Sequence, residues 1–132
     1  MEAAQRFLEA RERALVDSEG WAKATAAAFN MLAQEECAEV AKPEWWNDEE
    51  LKALSARVVR AAPDDGIANQ MRAHVLVGQS SAWEAGPRSA AELKKAAALF
   101  DRAAAMCDAP AVKAQKAYLA DQCRRLAELS PM

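Results

Sequence analysis

His74 is the only histidine of the 132-residue chain, and Cys37, Cys107 and Cys123 are its only cysteines. No cysteine lies within five positions of another or of His74, so the close donor spacing of a metal site is missing. A cysteine nucleophile needs a base within hydrogen-bond reach, and His74 serves Cys37 only if tertiary packing joins them. Cys107 and Cys123 are expected to face inward on neighbouring antiparallel helices, as two small core residues. The carboxylates cluster at Glu35-Glu36, Asp48-Glu49-Glu50 and Asp64-Asp65. The last two clusters open helices, where the helix dipole favours negative charge. There is no glycine-rich phosphate loop and no nucleophile elbow. No catalytic residue, metal site or cofactor follows from this inventory, and the expectation is a protein that is not an enzyme.

What remains is contact chemistry. Residues 79–88, Gln-Ser-Ser-Ala-Trp-Glu-Ala-Gly-Pro-Arg, read as the longest irregular segment. They carry Trp83 and Arg88, the residue types most enriched at binding hot spots. Either Trp83 anchors a partner, or it folds back to plug the end of its own core. Lys94, Lys95, Lys113 and Lys116, with Arg124-Arg125, make the end of the chain basic. That pattern is a solvated face or a patch for an acidic protein or peptide. Nucleic acid is not expected, because no aromatics interleave with these cations and the net charge is −3. Residues 1–66 hold 8 Lys/Arg against 14 Asp/Glu, and residues 67–132 hold 9 against 6. This split is ordinary surface variation, or it suits docking between unlike neighbours and weak self-association.

The elements that must position these residues are helices. Apolar residues make up 52% of the chain, but 34 of them are alanine, which favours closely packed helices around a modest core. Six segments emerge. The first covers about 2–16 with Phe7, Leu8 and Leu15. Asp17-Ser18 caps a long second helix from about 19 to 41, with the stripe Ala22, Ala26, Phe29, Ala33, Cys37 and Val40. Pro43 follows its end. Asn47 with Glu50 forms a capping box, and Trp46 with Leu51 a hydrophobic staple, for a third helix. Pro63-Asp64-Asp65-Gly66 is a turn and cap. It leads to a fourth helix over about 66–79, carrying Ile67, Met71 and Val75. Ser89 with Glu92 opens the fifth, whose stripe is Leu93, Ala96, Ala97, Phe100, Ala103, Ala104 and Cys107. Pro110 starts the sixth, with an inner face of Val112, Leu119, Cys123 and Leu126. No sustained period-two pattern marks a strand. The expectation is one all-α domain over 1–132, with residues 1–16 a peripheral N-terminal helix and 130–132 a frayed tail. No segment is long and apolar enough to span a bilayer. An odd number of scattered cysteines suggests a reducing, cytoplasmic setting.

Val58-Val59-Arg60-Ala61-Ala62-Pro63-Asp64-Asp65 resembles the close of a tetratricopeptide repeat. Ala73 falls where that family places a small residue between packed helices. Ala96, Phe100 and Ala103 match its small-aromatic-small spacing. The resemblance covers about residues 58–110. Pro63 and Pro110 lie 47 residues apart, against about 34 in a regular repeat. Asn69 and Arg72 stand where the same register wants large apolar residues. Lys23, Asn30, Asn69 and Arg72 are residue types the family uses to grip a C-terminal carboxylate, but their spacing does not reproduce that grip. The resemblance implies about six antiparallel helices stacked as hairpins, with a groove for a peptide or protein. An irregular helical bundle is the alternative. The expected function is an adaptor or small subunit of a larger assembly. The expected contact residues are Ala68, Arg72 and Val75 of the fourth helix, Trp83 and Arg88, and Lys94, Lys95, Lys113 and Lys116. The competing reading is a helical protein that binds a small apolar ligand or assists an enzyme.

Overall fold

The computed structural model describes residues 2–34, 41–80 and 82–129. Six helices follow in order: α1 (Glu2–Arg13), α2 (Glu19–Leu32), α3 (Asp48–Ala61), α4 (Gly66–Val77), α5 (Ala90–Ala105) and α6 (Pro110–Leu129). No strand occurs among the described residues. Four of the starts are fixed by side chains that accept an otherwise unpaired amide of the first turn. Ser18 accepts from Trp21, Asn47 from Glu50, Asp65 from Ala68 and Ser89 from Glu92, all at 2.9–3.2 Å. Ser89 and Glu92 complete a reciprocal capping box. At Asn47 the reciprocity takes another form. Glu50 accepts from the Asn47 side-chain amide at 2.7 Å, while the Asn47 backbone amide donates to Trp45.

The second helix is shorter than its stripe predicts. It ends at Leu32, and the amide of Ala33 closes on the Phe29 carbonyl. Cys37 and Val40 lie outside the described residues. Trp46, just ahead of α3, packs tilted against Phe29 of α2, with ring centroids 5.3 Å apart.

Consecutive helices pack on one another, and α4 also packs on α2, which makes α4 the centre of the stack. Its Ala68, Met71 and Val75 enter a first core with Trp21, Phe29, Leu51, Val58 and Trp83. Its Ala73 and Leu76 enter a second core with Ala96, Phe100, Ala120 and Cys123. Ile67, expected on the buried stripe, is 45% exposed, and Ala68 takes its place at 0%. The α5 stripe is buried as its spacing requires, apart from the half-buried Cys107.

On α6 the inner face is Lys116, Ala120, Cys123 and Ala127; Cys123 is buried as expected, but Val112, Leu119 and Leu126 are not on it. Alanines on α6 meet the alanines of α5, so the backbones approach closely. The bulkier Leu119 and Leu126 are displaced to the flank, half-buried.

Candidate functional site

A recess of about 840 Å³ opens between α3 and α5, with α4 as its floor. Asp48, Glu49, Lys52 and Ala53 share one face of α3, and Ala91, Glu92 and Lys95 share one face of α5. Arg72 and Leu76, one helical turn apart, rise from α4. Lys52 Nζ reaches across the cleft to Glu92 Oε2 at 2.9 Å. Burial raises the Glu92 carboxyl, but the Ser89 amide and the Lys52 ammonium outweigh it and hold the group below the usual carboxylate range.

Arg72 donates through Nη1 to the Lys52 carbonyl at 2.7 Å and to Ser55 Oγ at 3.1 Å. Its guanidinium has no carboxylate partner among the described residues. Burial lowers its pKa, opposed by nearby Glu92, and an arginine stays charged regardless. The cleft therefore presents on its floor one half-buried guanidinium that makes no ion pair among the described residues, and on its walls exposed Lys95 and Glu49.

One end of the cleft is closed by a clasp. Arg88 donates through Nη1 and Nη2 to the two carboxylate oxygens of Asp48, at 3.0 and 2.5 Å. Nε and Nη2 also reach the Leu76 and Val75 carbonyls, at 3.0 and 2.9 Å, and Nη1 reaches Gly86 O at 2.9 Å. These bonds engage all three guanidinium nitrogens, and the α4 carbonyls they satisfy are among those a helix end leaves open. Gly78 caps α4 at φ +63°, and a Cβ there would lie 2.7 Å from the Arg88 guanidinium. Asp48 also accepts from Trp83 Nε1 at 3.0 Å and from the Gly86 amide at 3.1 Å. The Arg88 guanidinium, acting against burial and helped by Trp83, holds the Asp48 carboxyl far below its ordinary pKa.

The expected contact residues divide accordingly. Trp83 is 8% exposed and Arg88 9%. Trp83 stacks edge-on against Phe29 and Trp46, and Trp46 Nε1 donates to the Ala82 carbonyl at 2.9 Å. The loop thus folds back onto the first core, and its two candidate anchors are occupied within the chain. Ala68 and Val75 are likewise core residues. The face of α4 that meets the cleft is rotated from the expected one and carries Arg72 and Leu76.

Lys94, Lys95 and Lys113 are exposed, and Lys95 alone of the three lines the cleft. Lys116 is 7% exposed. Its ammonium pKa is lowered by burial, opposed by Cys107, so it adds little to a basic face. The structure thus brings Arg72 and Lys95 together and disperses the rest. Lys52, Glu49, Asp48 and Glu92 were missed as cleft residues. Their capping positions gave a signal, but the pairing across helices has none in sequence.

Trp21 and Trp45 have their own partner. The Arg11 guanidinium lies 5.5 Å from the Trp21 ring and 5.2 Å from Trp45. Among the described residues no group of His, Cys, Asp and Glu is arranged to hold a metal. None of the helices is long and apolar enough to cross a membrane. No family model, curated protein or solved structure matches the chain.

Proposed function

We propose that the chain is a non-enzymatic helical interaction module, an adaptor or small subunit, that takes an acidic segment of a protein partner into the α3–α5 cleft. The single observation that carries this reading is Arg72, a half-buried guanidinium that among the described residues makes no ion pair, on the floor of the α3–α5 recess. Arginine suits bidentate capture of a carboxylate, and Lys95 adds charge on the wall. Leu76, Ala53 and Ala91 give the same recess an apolar lining. The alternation of helix layers about α4, and the buried Ala96, Phe100 and Ala103, support placing the chain among tetratricopeptide-like stacks. The free thiols Cys107 and Cys123 suit a reducing compartment such as the cytoplasm.

The test compares the tagged wild-type chain with Ala53→Trp and Arg72→Ala as baits in the native source. Ala53 is exposed, so a tryptophan there blocks the cleft without touching the core. The expected result is a partner retained by the wild type and lost by both variants, with unchanged melting for Ala53→Trp. Its retention should weaken as salt rises, since exposed charges are screened beyond ~8–10 Å. Identical proteins on all three baits would defeat the reading.

A further inference from the structure

Arg72 and Leu76 turn toward the cleft, and His74, two positions from each, leaves α4 on the other side. There it faces a second recess of about 230 Å³ between α4 and α6, walled by Val77, Phe100, Leu119 and Leu126, with Gln122 at its edge. We propose that this recess is a binding site for a small neutral aromatic molecule bearing a hydroxyl or carbonyl group. The site does not rest on the cleft or on its partner.

The chemistry differs from that of the cleft at every point. Six of the ten described residues lining the cleft carry charge, whereas among the described residues no Asp, Glu, Lys or Arg lines this recess. A charged ligand would be desolvated here with no charged side chain on the lining to pair with it. The walls are apolar and the His74 ring stands edge-on to Phe100, with centroids 5.1 Å apart. An aromatic ring entering beside Phe100 meets the same edge-to-face geometry.

The recess also holds unused hydrogen-bonding capacity. Among the described residues no protein group bonds either nitrogen of His74, neither nitrogen is a buried atom without a partner, and the side chain lines the recess. Burial, with the Lys116 ammonium nearby, pushes the imidazole down to about 4. At neutral pH it therefore offers one N–H donor and one bare nitrogen acceptor. Ser80, on the rim, accepts the Ala82 amide through Oγ at 3.1 Å, which leaves its own hydrogen to donate. A hydroxyl can both donate to and accept from this pair, and a carbonyl can accept from it. A cavity of about 150 Å³ suffices for benzene, so the volume fits a single substituted ring.

The probes are benzyl alcohol, benzoate and benzylamine, which share one ring and differ in charge. They are titrated into the isotopically labelled full chain and followed by chemical shift. Benzyl alcohol is expected to saturate with a Kd of about 1 mM or tighter, shifting His74, Val77, Phe100, Leu119 and Leu126. Benzoate and benzylamine are expected to bind at least ~10-fold more weakly. His74→Phe keeps the ring and removes both nitrogens, and is expected to weaken benzyl alcohol ~10-fold. Leu126→Trp fills the recess from its half-buried flank and is expected to abolish binding, which keeps the proposal testable if His74→Phe does not fold. Absence of saturation, equal affinity for the three probes, shifts confined to the α3–α5 cleft, or undiminished binding by a folded variant would each overturn it.

Discussion

The two cores that meet on α4 are built from different materials. The first is aromatic and polar at once: Trp21, Phe29, Trp46 and Trp83 pack around it, and the Asp48–Arg88 ion pair joins residues 40 positions apart at its edge. The second rests on small residues. Ala96, Ala97 and Ala120 allow α5 and α6 to approach closely around Phe100. A core held by a few large or paired groups fails when one is removed, whereas a core held by close approach fails when volume is added.

The largest effect is expected at the clasp. Asp48→Ala leaves the Arg88 guanidinium buried without its counter-charge, and losing one member of such a pair costs ~3–5 kcal/mol. Urea unfolding of the variant measures it; a loss below ~1 kcal/mol would mean the pair does not hold the first core. Trp83→Ala removes the aromatic lid from the same core and is expected to cost a comparable ~3–5 kcal/mol. An anchor for a partner would have left stability nearly intact, so thermal melting of this variant separates the two roles.

Between the cores, His74 sets a pH dependence. Its pKa falls from 6.5 to about 4 on folding, chiefly through burial. The unfolded chain therefore binds the extra proton first. Stability from this group is complete above about pH 6.5 and is lost as pH falls toward 4, by about 2–4 kcal/mol. His74→Phe should flatten that slope in denaturation curves taken between pH 4 and 7; an unchanged slope would assign it to other groups. In the second core, Ala97→Leu and Ala120→Leu add volume where α5 and α6 meet, and each is expected to cost ~1–3 kcal/mol. The same melting assay would show no loss if the helices were loosely packed there.

The parts of the fold that depend on local chemistry were legible in the sequence. Ser18, Asn47, Asp65 and Ser89 each cap a helix where their side chains and the following turn require it. The α5 stripe is buried for the same reason: it is periodic over the whole helix. What escaped was set by partners distant in sequence. The contact between α2 and the approach to α3 joins Phe29 to Trp46, seventeen positions on. The rotation of α6 depends on which of its faces is small enough to meet α5. The burial of Trp83 and Arg88 depends on Asp48, which reads in sequence only as a first-turn acid. At the cleft, Arg72 and Lys95 were named from charge, but their company with Lys52 and Glu92 arises only when α3 and α5 are laid side by side.

The central claim is that partners meet this chain at the α3–α5 cleft. A photo-crosslinking amino acid in place of Ala91, on the cleft wall, tests it beside the same group in place of Ala111, exposed on α6. The account predicts one discrete adduct from position 91, competed away by Ala53→Trp, and none from position 111. An adduct from position 111 alone, or equal adducts from both, would contradict it.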